Sequence, residues 1–228
     1  MLQEIKTYHL PMPLKMGSVN CYLIKTEAGF VLIDTGGKNN RLELETHLAN
    51  DGCQPGNLKL ILLTHGDFDH ISNAVYLRNK FASKLAMHEG DLGMLERGDM
   101  FWNRRKRNVL IKWLAPLLMG FGKDDRRPPD VFIQDGTFLA EYGFNAQVIH
   151  TPGHSLGSVC ILTSNRDLFC GDLLINGKRP VLNSMMDDPA AGIASLEKLK
   201  SLLIKMVYPG HGEPFPMEML LTSPTSAQ

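Results

Sequence analysis

A chain of 228 residues, 43% hydrophobic and 21% charged, can bury one substantial core and has the composition of an ordinary globular protein. Basic and acidic residues each number 24, so the formal charge is zero and no global field gathers nucleic acid or an anionic membrane. No apolar run reaches the length of a membrane span, and Met1 to Tyr8 lacks the apolar core of an export signal, so a cytoplasmic protein is expected.

Met1 to Tyr8 alternates polar and apolar residues like an edge strand. Val19 to Lys25 and Phe30 to Asp34 are β-like runs separated by Thr26, Glu27, Ala28 and Gly29, which reads as a hairpin. The second run ends in Asp34-Thr35-Gly36-Gly37, which carries neither glycine pattern of a phosphate-binding loop. Asp34 therefore reads either as a carboxylate that hydrogen-bonds a neighbouring loop or as a plain turn former. Arg41 to Asn50 places Leu44 and Leu48 at helical spacing, and Asp51-Gly52 supplies a stop. Leu60 to Leu63 is an unbroken apolar run, which predicts a strand covered on both faces and ended by Gly66. Ile71, Ala74, Val75 and Arg78 predict a short amphipathic helix, and Lys84 to Met87 a further strand. This alternation predicts an α/β protein with helices packed on sheets.

Between Glu89 and Pro129 the pattern changes. Arg104, Arg105, Lys106 and Arg107 precede an apolar stripe of Leu110, Trp113, Leu114, Leu117, Leu118 and Phe121, broken by Pro116. The segment reads as a helical insertion, about 89–129, in a single domain spanning 1–228. It could serve as a lid, a dimer surface or a basic peripheral membrane contact; the plainer reading is a helix packed on the parent domain with solvated arginines. Asp130 to Ile149 reads as a meander that delivers the chain to Thr151-Pro152-Gly153-His154-Ser155. Ser158 to Leu162 and Leu168 to Cys170 predict a hairpin ended by Gly171-Asp172. Asp188 as cap, Pro189 at the first position, and Leu196, Leu199 and Leu203 on one face predict a helix. Lys205 to Tyr208 is the last predicted strand, before Pro209-Gly210-His211-Gly212, and little structure is expected beyond Pro216. Cys21, Cys53, Cys160 and Cys170 show no CxxC pairing and read as buried free thiols.

Four places share one design, a β-run that stops at a glycine-containing turn bearing histidine or aspartate: the loop from His65 to His70, His154, Asp172 and His211. If the first loop stays extended, His65, Asp67 and Asp69 leave on one side, and His70 turns away as a helix begins. Such a set suits two ions side by side better than one tetrahedral ion. His9 and His47 read as surface or packing residues. His88 and His150, ending strands near the cleft, read as supports rather than ligands. Ser155 lacks the GxSxG context of a nucleophile.

With these residues in this order, the sequence resembles the metallo-β-lactamase superfamily of binuclear hydrolases. The family pattern HxHxDH corresponds to His65-Gly66-Asp67-Phe68-Asp69-His70. Later markers match His154 in Thr-Pro-Gly-His-Ser, Asp172 in Cys-Gly-Asp and His211 in Tyr-Pro-Gly-His-Gly, and the Asp-Thr-Gly turn at Asp34 also looks like the family's. The resemblance implies a four-layer αβ/βα sandwich with two divalent ions, zinc first, at the strand-end cleft. One ion would be held by His65, Asp67 and His154, the other by Asp69, His70 and His211, with Asp172 bridging and with Asp34 and Ser155 standing behind the ligands. Asp67 departs from the family's usual histidine: a carboxylate there admits iron or manganese, or else the position no longer binds and a single-metal enzyme results.

The implied mechanism is hydrolysis by a metal-bridging hydroxide, with Asp69 orienting it or moving its proton. A small-molecule ester-like substrate is expected, thioester or lactone before β-lactam. A glutathione thioester is disfavoured by the short tail after His211, where relatives of that kind carry a helical domain. Two alternatives stand beside this one. A flavodiiron-like oxidoreductase, reducing oxygen or nitric oxide with a separate electron donor, is suggested by Asp67. A phosphodiesterase or nuclease is suggested by Arg104 to Arg107 and by Arg126-Arg127, although no nucleic-acid module is visible. Oligomeric state is open.

Overall fold

The structure, a computed structural model, describes residues 4–104 and 121–221. One sheet orders β1 (Ile5–Pro11), β2 (Ser18–Thr26), β3 (Gly29–Ile33), β4 (Leu58–Leu62), β5 (Lys84–Met87) and β6 (Val131–Phe132) side by side. Its first three strands are antiparallel, and β3 to β6 run parallel. The second sheet orders β13 (Phe215–Pro216), β12 (Met206–Pro209), β9 (Asp167–Gly171), β8 (Val159–Thr163) and β7 (Ala146–His150). A two-stranded ribbon, β10 (Leu174–Asn176) with β11 (Pro180–Leu182), meets the loop after β12 through a bridge between Asn176 and Gly212 and a hydrogen bond from Asn176 N to the His211 carbonyl at 3.1 Å. The helices are α1 (Arg41–Asn50), α2 (Phe68–Ile71), α3 (Ala74–Phe81), α4 (Leu92–Arg97), α5 (Pro189–Lys200) and α6 (Met217–Leu221).

The unbroken apolar run of β4 explains the layering. Strand periodicity sends Leu60 and Leu62 into a core shared with Tyr22 and Ile33 of their own sheet and Val148, Ile161 and Phe169 of the other. Ile61 and Leu63 point the opposite way, against Leu44 and Leu48 of α1 and Leu77 of α3. On the far side of the second sheet, Cys160, Leu168, Cys170 and Val207 pack against Leu199 of α5. The layers are therefore helix, sheet, sheet, helix, which is the metallo-β-lactamase sandwich. Each fully buried aliphatic side chain contributes about 1.5–3 kcal/mol, so the paired sheets form a firm base for the loops at their ends.

Three local expectations fail. The chain does not stay extended through Asp69: Asp67 is the last extended residue, and α2 begins at Phe68. Leu203 lies beyond α5 and is exposed, because the buried face of that helix is Gly192, Ser195 and Leu199. Beyond Pro216 the chain forms α6, tied down by the buried Met217. The β10–β11 ribbon was not foreseen, since both strands are three residues long and carry no clear alternation.

All four cysteines are buried and free. The apolar stripe from Leu110 to Leu118 and the run Arg105 to Arg107 lie outside the described residues. Phe121, the last residue of that stripe, is buried and stacks on Phe68 with ring centroids 4.6 Å apart. No helix among the described residues is long and apolar enough to cross a membrane.

Candidate metal centre

The carboxyl ends of β3 and β4 start the site. Asp34 follows β3 with φ +59°, a left-handed conformation that aspartate tolerates better than most residues. Its Oδ1 accepts from Thr64 N at 2.8 Å, and its Oδ2 accepts from Thr64 Oγ1 at 2.7 Å and from His70 Nδ1 at 2.9 Å. The carboxylate thus clamps the loop after β4 and fixes the ring of His70.

The other three histidines are held the same way. His154 Nδ1 donates to the Met185 carbonyl at 2.7 Å, and His211 Nδ1 donates to the Ser18 carbonyl at 2.7 Å. His65 Nδ1 lies 2.9 Å from Thr64 Oγ1, which has already given its proton to Asp34 and so accepts. With every Nδ1 occupied, each ring has only Nε2 to offer, the arrangement that orients metal-binding imidazoles.

Those Nε2 atoms converge with three carboxylates. Asp172 places Oδ1 3.3 Å from His70 Nε2, and Oδ2 3.3 Å from His211 Nε2 and 3.9 Å from His154 Nε2. Asp69 Oδ2 is 3.5 Å from His211 Nε2 and 3.7 Å from His70 Nε2. Asp67 Oδ2 is 3.0 Å from His154 Nε2 and 3.9 Å from His65 Nε2. Donor atoms of His65, His154 and Asp172 lie within 4.8 Å of one another, as do those of Asp69, His70 and His211. Asp34 is also within reach of His65 and His70, but its oxygens are already taken by Thr64 and His70 Nδ1. All seven sequence-predicted donors are therefore brought to one cleft, from both sheets.

The cleft is electrostatically tense. Burial and the neighbouring imidazoles of His70 and His154 hold His65 well below its ordinary pKa. Burial opposes protonation of His70 too, yet Asp172, Asp69 and Asp34 outweigh it and raise that ring. His211, opposed by burial and favoured by Asp172, is pushed up to about 10. Despite burial, His211 and His70 hold the Asp172 carboxyl well below the usual range, so it stays ionised. His65 Nε2, His70 Nε2 and Asp172 Oδ1 are buried without a hydrogen bond; the last two face each other at 3.3 Å without the alignment of one. Imidazole and carboxylate donors aimed inward with atoms left unpaired fit divalent cations.

Close backbone approach completes the site. A Cβ at Gly210 would strike Asp172 Oδ1 and stand 2.8 Å from His70 Cε1. Asn20 Nδ2, from β2, donates to the carbonyls of Pro209 at 2.9 Å and Gly212 at 2.7 Å, so one sheet holds the His211 loop of the other.

Asn20 was missed in the sequence, as were Asp91 and the role of Arg104. Asp91 is fully buried: Oδ2 accepts from Gly66 N at 2.9 Å and from Ser155 Oγ at 2.5 Å, and Oδ1 from Gly157 N at 2.8 Å. It joins the loop of His65 to the loop of His154, and no motif marks it. Ser155 thereby spends its hydroxyl on Asp91 and on Ser158 Oγ, 2.7 Å away. Arg104 is not solvated; its guanidinium is bonded to Asp67. His88 and His150 stack on each other at 4.2 Å and stand outside the donor groups. His47 stacks on Tyr8, and His9 Nδ1 lies 2.8 Å from Asn20 Oδ1.

Asp91→Ala is expected to cost about 2–4 kcal/mol of folding stability, because each buried donor left unpaired costs about 1–3 kcal/mol. The denaturant midpoint measures it, and a wild-type midpoint in the variant would remove Asp91 from this role.

The profile of the metallo-beta-lactamase superfamily matches residues 14–211. Over 176 residues the chain is 29% identical to the hydroxyacylglutathione hydrolase GloC of Haemophilus influenzae, covering 73% of this chain and 71% of that protein. It is 29% identical over 231 residues to the acyl-coenzyme A thioesterase MBLAC2 of Bos taurus, covering 88% of this chain and 75% of the other. The crystal structure of TTHA1623 in a di-iron-bound form matches with a TM-score of 0.72 at 30% identity, covering 94% of this chain and 96% of that one. The fold, the ordered donors and the profile agree: the chain belongs to the metallo-beta-lactamase superfamily of metallohydrolases.

Proposed function

We propose that this protein is a hydrolase that uses two divalent ions to cleave an ester-like bond in a small molecule, with thioesters and lactones as the leading substrates. His65, Asp67 and His154 would hold one ion, Asp69, His70 and His211 the other, and Asp172 would serve both. The observation that carries this reading is the convergence of three buried atoms without a hydrogen bond, His65 Nε2, His70 Nε2 and Asp172 Oδ1, in a cleft where four imidazoles are locked by their Nδ1 atoms. Unpaired, each such atom costs about 1–3 kcal/mol, which a bound cation removes.

Bound divalent ions supply a water of lowered pKa and Lewis acidity toward the oxygen that gains charge in hydrolysis. The chain's own part is preorganisation: Asp34, Thr64, Ser18 and Met185 keep the rings from turning. Asp69 and His211, with side chains 13% and 24% exposed, form the open edge of the donor set. In this reading Asp69, at that edge, would hold or pass a proton. Four imidazoles suit zinc, while the oxygen donor of Asp67 also suits iron or manganese, and TTHA1623 is described in a di-iron form. Similarity to a hydroxyacylglutathione hydrolase and to an acyl-coenzyme A thioesterase supports thioesters and returns glutathione thioesters to the candidates.

The test is metal analysis of the purified protein with a panel of glutathione thioesters, acyl-coenzyme A thioesters, lactones, a β-lactam and a phosphodiester. Two ions per chain and thioester or lactone turnover, lost on chelation and regained on adding metal, are expected. Fewer than one ion per chain together with no metal-dependent turnover overturns the proposal. Iron with oxygen or nitric oxide consumption would move it to the oxidoreductase reading.

A further inference from the structure

We infer that Arg104 is a positioning residue for the metal centre: it occupies one oxygen of Asp67 and cancels its charge, so that Asp67 acts as a one-oxygen, effectively neutral donor. This rests on the metal-binding reading above.

The two oxygens of Asp67 do different things. Oδ2 faces the cleft, 3.0 Å from His154 Nε2 and 3.9 Å from His65 Nε2. Oδ1 is held by the Arg104 guanidinium in a charge-assisted hydrogen bond. The side chains are only 11% and 14% exposed, so water and salt screen the pair weakly. Asp69 and Asp172 pair with imidazoles, whereas Asp67 also meets a cation that does not lose its proton near neutral pH.

Arg104 is delivered there by built structure. Gly98, at φ +67°, ends α4 in the left-handed conformation, and the chain turns twice, with Trp102 N donating to the Asp99 carbonyl at 2.8 Å and Arg104 N to the Phe101 carbonyl at 3.1 Å. Asn103 Nδ2 donates to the Gly90 carbonyl at 2.9 Å, and Arg97 lies over the Trp102 ring at 4.4 Å, which pins the turns to α4. Arg104 Nε is buried without a partner, a cost that a solvated arginine would not bear. The buried Asp91 accepts from the main-chain N–H of Gly66, the residue before Asp67. Both carboxylates influence each other, and Arg104 offsets that repulsion.

Losing this cation frees the second oxygen of Asp67 and uncovers its charge. A carboxylate able to bind with both oxygens favours harder, oxygen-seeking ions, whereas a one-oxygen neutral pair beside imidazoles favours zinc or iron. Zinc and manganese titrations by calorimetry, with ions per chain, on wild type, Arg104→Met, Arg104→Lys, Asp67→His and the double variant D67H/R104M separate these cases. Arg104→Met should shift the manganese-to-zinc affinity ratio toward manganese by about tenfold or more, the scale of a residue that orients a ligand. Arg104→Lys, which keeps the charge, should stay near wild type. Asp67→His alone strands the arginine against an imidazole and should weaken one ion by about 10–100-fold, and the double variant should regain that affinity.

An unchanged ratio in Arg104→Met, or equal affinities in Asp67→His and the double variant, overturns this inference while leaving a two-ion wild type in place. A wild type that binds no ion overturns it together with the function it rests on. Circular dichroism controls for folding; if Arg104→Met does not fold, Arg104→Lys and the double variant, which leave no lone buried charge, carry the comparison.

Discussion

Asp172→Asn is expected to release at least one ion and to lower hydrolytic turnover by about 10²–10³-fold, the range that one preorganised electrostatic group contributes. The reason is position. Asp172 Oδ1 lies 3.3 Å from His70 Nε2, and Oδ2 lies 3.3 Å from His211 Nε2 and 3.9 Å from His154 Nε2, so the one carboxylate stands beside imidazoles of both proposed ion positions. Asparagine has nearly the same shape, which leaves charge as the quantity removed. The main-chain carbonyl of Asp172, which accepts from Asn183 Nδ2 at 3.0 Å, is untouched, so the loop should keep its course. Metal content and kcat measured on the same preparation decide the matter. Two ions with turnover within tenfold of wild type would show that Asp172 is not shared.

Asp34 gives the second large effect, and it acts without touching an ion. Asp34→Ala removes the acceptor for Thr64 N, Thr64 Oγ1 and His70 Nδ1 in a fully buried place. Breaking such a buried pair by deleting one partner costs about 3–5 kcal/mol, and alanine adds about 1–2 kcal/mol of strain at φ +59°. Metal affinity should fall about 10–100-fold as His70 loses its orientation. Asp34→Asn separates the two effects. Asparagine accepts the left-handed backbone and can accept from Thr64, but its amide presents a donor to His70 Nδ1. The imidazole must then carry its proton on Nε2, where a metal ligand cannot have one. Near-normal melting with weakened metal binding is the expected signature of Asp34→Asn, read by thermal denaturation and calorimetry. Wild-type metal affinity in both variants would mean that His70 does not depend on Asp34.

Local structure was legible where one periodicity or one end signal dominated. The doubly apolar β4 and the start of α5, where the Asp188 side chain accepts from Ala191 N at 3.1 Å, follow from neighbouring residues alone. The end of α5 does not: Leu203 sits at helical spacing, but the helix stops at Lys200, before it can reach the core. The same holds for Met217, which is buried in a cluster that includes Ile149, Cys160 and Leu168 from strands far back along the chain.

For the candidate site the division is sharper. The donor types, their order, and the glycine turns that carry them are properties of short stretches, so His65, Asp67, Asp69, His70, His154, Asp172 and His211 could be picked out one turn at a time. Asp91 bonds a serine 64 positions along the chain, and Arg104 bonds a carboxylate 37 positions back. No local pattern encodes such partners. By itself the sequence determined which atoms are available to hold cations; only the stacking of the two sheets decided which oxygen of Asp67 faces the cleft, which cation neutralises the other, and which buried carboxylate ties the loops together. Side-chain chemistry belongs to each residue, but burial, distance and the charge of a neighbour exist only once remote segments have packed.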